Sequence, residues 1–356
     1  MILLPYVLDR NLNRIDVIDD FVSFIWTKRF NKVGDFELYV PASNEALISL
    51  TEDNYIVRED DEMVCIIEKV ELKTDVENGD FIAVSGRSVE SLLDRRIIWQ
   101  QTNYNGRAEI FIRKIIDENV VNPKIATRKI PNFFLNTEIG YNEKITIQTT
   151  GANLLDVVEE TCRQFNFGFR VKLSQWRGKL NCFVFELYKG VDRSALKTIK
   201  PFVVFSPEFD NLFSSEYIFD KTPLKNSALV AGEGKGTARK TVEIGANASG
   251  IDRREIYVDA RDISSNDGEI SENDYKILLE QRGNEQLKAL QSTEAFSGKV
   301  ETTKMYQYKK DYNLGDIVEV QNEYGITATP RVIEIIECED ENGYSCIPTF
   351  STWGVN

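Results

Sequence analysis

The chain has 356 residues, of which 42% are hydrophobic and 28% are charged, and its net charge is −14. This composition predicts a globular protein of roughly two to four domains. The acidic balance disfavours tight nucleic-acid binding, which neutralises phosphates with Lys and Arg, and the absence of histidine excludes Ser-His and Cys-His catalysis and most catalytic zinc sites.

Neither a membrane segment nor a disulfide framework is predicted. No run approaches the roughly 20 apolar residues of a membrane span, and the first residues lack the regions of a signal peptide. The cysteines are scattered and form no Cys-x-x-Cys pair, which predicts reduced, buried thiols in a protein made in a cytosol. They are Cys65, Cys162, Cys182, Cys338 and Cys346.

The first hundred residues predict strands joined by turns. Strands are expected at residues 14–18, 21–28, 36–40, 55–58, 63–73 and 81–85. Turns are expected at residues 32–35, at the acidic residues 59–62 and at Asn78-Gly79, a strong hairpin signal. This spacing favours a small closed barrel. A short helix at residues 88–95 follows, with Ser88 as its cap.

From about residue 100 the pattern changes to α+β. Apolar residues recur with helical spacing over residues 107–121 and 153–165, and Asn153 is placed to cap the second helix. Residues 169–173 and 180–188 then predict a hairpin.

Strands return at residues 202–205, 217–219 and 227–232. A helix is predicted over residues 271–291, opened by Ser271 and Asp274, although Gly283 weakens its continuity. The last 60 residues predict strands again, with turns at residues 313–316, 322–325 and 341–343.

Motifs with possible chemistry all have simpler structural interpretations. The loop at residues 232–237 lacks the Gly-Lys-Ser/Thr order of a phosphate loop, so a hairpin tip is favoured. Ser88 follows Gly86-Arg87 but has no histidine to activate it. Carboxylates are plentiful, and solvated loops or local ion pairs are favoured over a glycosidase pair. Those considered are Asp19, Asp20, residues 59–62, Glu208, Asp210, Asp259 and Asp262. No catalytic residue, cofactor-binding residue or metal ligand is therefore predicted.

The tryptophans are Trp26, Trp99, Trp176 and Trp353. They could serve as sugar-stacking platforms, since surface aromatics mark binding sites. Their wide spacing in the chain favours packing in a core or at a subunit interface.

An ordered set of short motifs resembles the baseplate-hub (tail-associated) proteins of long-tailed bacteriophages, which are related to contractile-phage hubs and to the base of type VI secretion spikes. The motifs are WTKRF at 26–30, GDFEL at 34–38, GRS at 86–88, LLDRR at 92–96, GANLL at 151–155, GVDRS at 190–194, FSPE at 205–208, YVDARD at 257–262, LGDIV at 314–318 and PTF at 348–350.

The resemblance implies an α+β, β-rich baseplate-hub fold, with two small tail-tube-like β-barrels decorated by α+β insert domains. The expected first barrel covers residues 1–99, and an insert follows at 100–195. The second barrel is expected at 196–241 and 299–356, interrupted by a helix-bearing insert at 242–298. Because this family shares no catalytic residues and the chain stops at Asn356, host-wall digestion and receptor binding by this chain are not expected.

In function, the resemblance implies a structural virion protein at the tail tip or baseplate, made and assembled in the host bacterial cytoplasm. A homotrimer would join the six-fold tail tube and distal tail protein to a three-fold tip. Further expected partners are the tape measure protein and tail fibre or receptor-binding proteins. DNA would pass only in transit through an acidic channel that repels its phosphates, and no stable membrane insertion is expected. The alternatives are a carbohydrate-binding or glycoside-hydrolysing cell-surface β-protein and a generic intracellular scaffold.

Overall fold

The computed structural model of the protein describes residues 3–74, 79–176, 180–195, 202–245, 247–300 and 305–352. This described chain is rich in β-strands and contains few helices, and its strands form several sheets. The predicted β-rich fold class is therefore confirmed. Within the same ranges, no helix is long and apolar enough to cross a bilayer.

The first part of the chain is built from strands, with one short helix between the fourth and fifth. The strands are β1 (Pro5–Leu8), β2 (Arg14–Val17), β3 (Ser23–Arg29), β4 (Asp35–Pro41), β5 (Tyr55–Arg58), β6 (Val64–Ile66), β7 (Lys69–Lys73) and β8 (Phe81–Arg87), and the helix is α1 (Asn44–Ser49). The predicted turn at residues 32–35 joins β3 to β4. The sequence patterns predict neither β1 nor α1, because such short elements show too little periodicity.

The strand predicted over residues 63–73 is wrong, because the chain turns a corner within it. β6 pairs with β5 in one sheet, whereas β7 pairs with β8 in another. Consecutive residues from Val64 to Ile67 are all buried, as expected where a strand has apolar surroundings on both faces. Regular alternation resumes only in β7, after the chain has moved to the second sheet.

The middle of the chain confirms the predicted α+β region. Its elements are β9 (Thr102–Arg107), α2 (Ala108–Ile116), β10 (Phe133–Leu135), β11 (Lys144–Thr149), α3 (Leu154–Phe165), β12 (Gly168–Trp176) and β13 (Leu180–Tyr188). Asn153 caps α3 as predicted, since its Oδ1 accepts hydrogen bonds from Leu155 N at 2.9 Å and Asp156 N at 3.3 Å. α2 ends earlier than predicted and continues as a π-helical turn, Asp117–Val121.

The remaining elements alternate between long strands and a small helix-bearing unit. They are β14 (Val204–Phe205), β15 (Leu212–Asp220), β16 (Ser227–Ala231), β17 (Thr241–Ile244), β18 (Glu255–Asp259), α4 (Glu272–Ala289), β19 (Thr293–Val300), β20 (Glu319–Gln321), β21 (Thr327–Ala328), β22 (Val332–Asp340) and β23 (Gly343–Thr352). α4 runs through Gly283 without a break. A Cβ there would lie 2.3 Å from Ile244 and 2.5 Å from Val230, so this glycine lets α4 pack closely on β16 and β17.

One sheet of eight strands joins the two ends of the chain. Its strand order is β15-β19-β23-β22-β3-β4-β8-β7. β22 and β3 meet in its centre as an antiparallel pair, with Glu337 opposite Trp26 and Glu334 opposite Arg29. Four strands from each end of the chain therefore contribute to a single surface.

Each half of this sheet is backed by a smaller sheet over its own core. The sheet β2-β1-β5-β6 covers the N-terminal half around residues such as Trp26, Phe36 and Leu38. The sheet β14-β20-β21 covers the C-terminal half around Phe205 and Val332. A third core, centred on α2 and α3, extends to the outer face of the first small sheet. The fourth lies between α4 and the sheet β17-β16-β18.

Candidate functional site at the junction of the terminal regions

The candidate site is a cluster of buried charges where the two halves of the eight-stranded sheet meet. Lys28 lies on β3 and Glu337 on β22, and the two side chains point into the protein, where both are buried. Arg58 and Asp60 come from the end of β5 and the turn after it, as does Asp61. Lys309 completes the set, which holds three cations and three carboxylates. We call these six residues the junction cluster.

Glu337 is the centre of the junction cluster. Its Oε2 lies 2.9 Å from Lys28 Nζ and 3.3 Å from Arg58 Nη1. Its Oε1 accepts hydrogen bonds from Arg58 Nη2 at 3.3 Å and from the Tyr344 hydroxyl at 3.0 Å. This carboxylate is therefore satisfied by groups from three separate parts of the chain.

Asp61 ties the turn after β5 to the same cluster. It forms an ion pair with Lys28, and Lys309 Nζ lies 2.9 Å from its Oδ2. Asp60 in turn binds the Arg58 guanidinium, with Nε donating to its Oδ1 at 2.9 Å. The acidic turn at residues 59–62 was expected to be solvated or locally paired. Its Asp61 side chain is instead only 5% exposed.

The charges of the cluster hold one another in their ionised forms. Burial by itself would raise the pKa of Asp61, but Lys28, Lys309 and Arg58 lower it well below its usual range. Burial likewise opposes the charge of Glu337, and Lys28 and Arg58 lower its pKa. Burial would lower the pKa of Lys28, yet Tyr308, Asp61 and Glu337 raise it. The cluster is thus a balanced network in which each charge depends on its partners.

A cavity of about 520 Å³ opens beside the cluster, between the sheet and the α+β region. Its lining includes Lys28, Asp61, Arg170 and Tyr188. Glu90 also lines it and is buried, and its Oε1 accepts a hydrogen bond from Val171 N at 2.6 Å. Burial raises the pKa of Glu90, while hydrogen bonds from Ser88 and Val171 N oppose the rise.

The junction cluster has the features of a structural ion-pair network. The cations at its centre are already paired with carboxylates, and the sequence has no histidine to act as a base. Among the described residues, no group of three or more metal-ligating side chains could hold an ion. The arrangement fixes β3, β22, the turn after β5 and Lys309 relative to one another.

The two sequence motifs with possible chemistry have structural roles. The loop at residues 232–237 connects the antiparallel strands β16 and β17, which confirms the predicted hairpin. The prediction that Ser88 caps a helix is wrong. A 3₁₀ helix, Val89–Leu93, follows it without a side-chain cap, and Ser88 Oγ instead accepts a hydrogen bond from Gly34 N at 2.8 Å. A Cβ at Gly86 would lie 1.8 Å from the Ile66 carbonyl oxygen, so glycine allows β8 to approach the end of β6.

Most of the other carboxylates considered in the sequence form local ion pairs or lie exposed. Asp259 pairs with Arg261 at 2.5 Å and with Arg239 at 3.4 Å, and Asp262 pairs with Arg282 at 2.8 Å. Glu208 belongs to a short 3₁₀ helix, Pro207–Phe209. Asp19 and Asp20 are exposed.

The cysteines and tryptophans divide between core and surface. All five cysteines are free, and four are buried, Cys338 being the partly exposed one. Trp26 is fully buried in the core of the N-terminal half, as predicted. Trp99 is 54% exposed, so it does not pack in the core of this chain, and packing at a subunit interface stays a prediction for this residue. The Trp176 side chain and Trp353 lie outside the described residues.

The alternation of side chains along β3 and β22 gives a sequence signal for the junction cluster, although no catalytic or binding motif includes these residues. In β22 the inward positions are Ile335 and Glu337, and in β3 the inward position beside Trp26 is Lys28. A charge at an inward position of a strand needs a buried partner. Alternation therefore indicates a buried charge on each strand, although it cannot show that the two meet.

The fold is that of bacteriophage tail proteins. A 43 kDa tail protein of prophage MuSo2 from Shewanella oneidensis superposes with a TM-score of 0.58 and 13% identity, over 98% of each chain. A tail protein from Neisseria meningitidis MC58 also has a TM-score of 0.58 and 13% identity, over 99% of this chain and 97% of that one. Prophage tail protein gp18 from Listeria monocytogenes EGD-e has a TM-score of 0.50 and 13% identity, over 98% and 94%.

The chain itself belongs to the Siphovirus ReqiPepy6 Gp37-like protein family, whose model matches residues 4–350. No curated protein sequence matches it. The family and the fold confirm the resemblance that the ordered sequence motifs carry.

Proposed function

We propose that three copies of this chain form the hub at the tail tip, joining the six-fold tail tube and distal tail protein to a three-fold tip. The observation that supports this most directly is the eight-stranded sheet with two similarly backed halves. Each half has four strands, a small covering sheet and its own core. Three copies would therefore present six comparable units to the tube while keeping three-fold symmetry.

The edges of this sheet suggest how copies meet. β7 and β15 are its outer strands, and in the described part of the chain neither has a second partner strand. β7 exposes Lys69 and Leu72, and β15 exposes Ile218 and Phe219. Open edges with apolar residues are prone to pair with another chain. Placing β15 of one copy beside β7 of the next would close a ring of like contacts.

The open face of the same sheet is the candidate channel wall. Side chains alternate across it, and among the described side chains that point away from the two cores, carboxylates outnumber cations. The charged ones are Arg29, Asp35, Glu37, Lys69, Glu71, Lys73, Arg87, Glu216, Asp220, Glu334 and Asp340. Arg29 is held by Asp35 and by Glu334 at 2.6 Å. The surface that remains would repel DNA phosphates in transit.

The domain limits and partners belong to this proposal. The first barrel at residues 1–99, the inserts at 100–195 and 242–298, and the second barrel at 196–241 and 299–356 stay predictions. The same holds for the tape measure and fibre proteins as partners. Each half of the sheet with its small covering sheet supports the two-barrel arrangement.

The mass of the protein in solution tests the ring. We expect the purified chain to have a mass of three times 40.8 kDa. If the trimer forms only with the distal tail protein, the same mass should remain after the mass of that partner is subtracted from the mass of the complex. The variant Ile218→Lys should stay monomeric, because it puts a charge on the proposed edge. Ile251→Lys serves as the matched control, since Ile251 is exposed in the helix-bearing region.

Two results would contradict this arrangement. A monomer or a dimer in the presence of the distal tail protein would rule out the three-fold hub. A trimer that Ile218→Lys leaves intact would rule out the β15 edge as the contact.

A further inference from the structure

The exposed Trp99 belongs to a small pocket on the α+β region. The pocket has a volume of about 150 Å³ and is lined by Trp99, Gln100, Glu118, Asn119, Asn122, Lys124, Ile125 and Arg128. The Arg128 guanidinium carbon lies 4.8 Å from the centre of the Trp99 ring. We call this cavity the Trp99 pocket.

The walls of the Trp99 pocket are held in place by hydrogen bonds. Asn119 Oδ1 accepts from Trp99 N at 3.2 Å and from Arg128 Nη1 at 3.1 Å, while Asn119 Nδ2 donates to Ile115 O at 2.8 Å. Arg128 Nη2 donates to Ile97 O at 2.7 Å. Asn119 lies in the π-helical turn that ends α2. Such turns occur frequently at functional sites.

A second pocket of about 290 Å³ is lined in part by residues that neighbour those of the Trp99 pocket in the chain. Its lining includes Arg95, Arg96 and Lys129. Arg96, which lines the second pocket, donates from Nε to the Arg128 carbonyl oxygen at 2.9 Å. Arg128 and Lys129 are consecutive, and each lines one of the two pockets.

Four cations at this place lack an acidic partner. In the described part of the chain, no carboxylate lies within ion-pair distance of Arg96, Lys124, Arg128 or Lys129, which we call the basic patch. Lys124 Nζ donates instead to the Gln100 side-chain oxygen at 2.9 Å. Burial and the nearby charges of Arg128 and Arg95 lower the pKa of Arg96. In a chain of net charge −14, grouped cations without acidic partners indicate a site for an anion.

We propose that the Trp99 pocket binds a sugar phosphate, with the sugar against Trp99 and the phosphate on Lys124 and Arg128, the two cations of the basic patch that line this pocket. The flat apolar face of a sugar ring can stack on an exposed indole. Amide side chains such as Gln100 and Asn122 can both donate to and accept from hydroxyl groups. Guanidinium groups match phosphate oxygens in geometry as well as in charge. This inference is independent of the hub proposal.

The same observations argue against a nucleic acid or a protein segment as the ligand. Single-stranded nucleic acids bind along grooves with several stacking aromatics, whereas this pocket offers one indole, close to Arg128. The volume of about 150 Å³ suits one compact unit and not a polymer. The net charge of −14 would also repel an extended polyanion.

Titration calorimetry on the full chain tests the proposal. The probes are the phosphates of glucose, galactose and N-acetylglucosamine, the same sugars without phosphate, inorganic phosphate and a single-stranded oligonucleotide. We expect at least one sugar phosphate to bind about tenfold or more tightly than its sugar or inorganic phosphate. Such a difference corresponds to about 1.4 kcal/mol.

Variants assign the binding to the named residues. Arg128→Gln, Trp99→Ala and Lys124→Gln should each weaken binding of that sugar phosphate several-fold. Lys124 is exposed, so its variant keeps the test valid if the other two disturb folding. Lys276→Gln is the control, because Lys276 is an exposed cation on α4.

Three outcomes would overturn the proposal. One is that no sugar phosphate binds, and another is that inorganic phosphate or the oligonucleotide binds as tightly as any sugar phosphate. The third is that binding persists unchanged in all three pocket variants.

Discussion

At the scale of single residues, Glu337 concentrates the energetics of the junction. Its carboxylate is buried and contacts Lys28 and Arg58. Breaking one member of a buried charge network leaves the others unpaired in a medium that solvates them poorly. The buried ion pairs therefore hold distant segments together, and removing any one of these charges alone should lower the stability of the protein.

We predict that Glu337→Gln lowers the free energy of unfolding by about 3–5 kcal/mol at neutral pH, because Lys28 and Arg58 lose their shared partner. Urea unfolding measures this loss. The double variant Glu337→Gln, Lys28→Met should lose less free energy of unfolding than the two single variants together, because the charges that remain balance one another. Glu59→Gln is the control, because Glu59 is exposed and should change stability by less than about 1 kcal/mol.

Glu337 also makes the stability of the protein depend on pH in the acid range. The folded-state pKa values of Glu337 and Asp61 are lowered, so their stabilisation is fully present above their unfolded pKa values and is lost as pH falls through the folded ones. Below about pH 4 the difference between wild type and Glu337→Gln should shrink. If the loss of stability in the Glu337→Gln, Lys28→Met double variant equals the sum of the two single losses, the two residues do not share a charge network.

At the scale of elements, α3 and α4 meet through a pair of acids. Glu285 on α4 is buried and accepts a hydrogen bond from Gln281 Nε2 at 2.9 Å. Burial raises the pKa of Glu285 to about 7, with Glu160 on α3 adding to the effect and Arg282 opposing it. Lys288 also donates a hydrogen bond to the Gln164 carbonyl oxygen of the neighbouring helix.

We predict that Glu285→Gln stabilises the protein by about 1–3 kcal/mol at pH 8 and has little effect at pH 4. A carboxyl with a raised folded pKa favours folding most below its unfolded pKa, and this advantage is lost as pH rises toward about 7. Urea unfolding at the two pH values measures the difference. Glu280→Gln is the control, because it removes a more exposed carboxylate from the same helix. Equal stabilities of wild type and Glu285→Gln at pH 8 would refute the interpretation.

At the scale of the whole molecule, the eight-stranded sheet provides the surface on which the proposed function depends. Residues from both ends of the chain share one open face, whereas the core centred on α2 and α3 extends to the outer face of the first small sheet. In the proposed ring this open face would line the DNA channel. Glu37 on β4 is exposed there, between Ile25 of β3 and Ser85 of β8.

We predict that virions carrying Glu37→Lys eject DNA more slowly than wild type, because each ring would gain cations that hold phosphates in the channel. A dye that fluoresces on released DNA would report the rate after ejection is triggered. Glu52→Lys makes the same charge change in an exposed loop outside the sheet. Identical rates for wild type and Glu37→Lys would count against an electrostatically repulsive channel, and slowing should be greatest at low salt.

Local features of this protein were determined by sequence alone. The cap of α3 by Asn153, the turn between β3 and β4, and the buried face of α2 depend on residues within a few positions of one another. The ordered motifs likewise indicated a resemblance to phage tail proteins, whose fold this chain shares. Such signals survive in sequence because hydrogen bonds of caps and turns span only short stretches.

Only the tertiary structure decided which distant segments meet. The pairing of β3 with β22 brings Arg29 beside Glu334, 305 positions away, and nothing local records that register. The same holds for the corner after β6, the new partner of Ser88 and the exposure of Trp99. Strand pairing and burial depend on the whole packed chain, so the charged junction and the shared sheet arise only when both ends fold together.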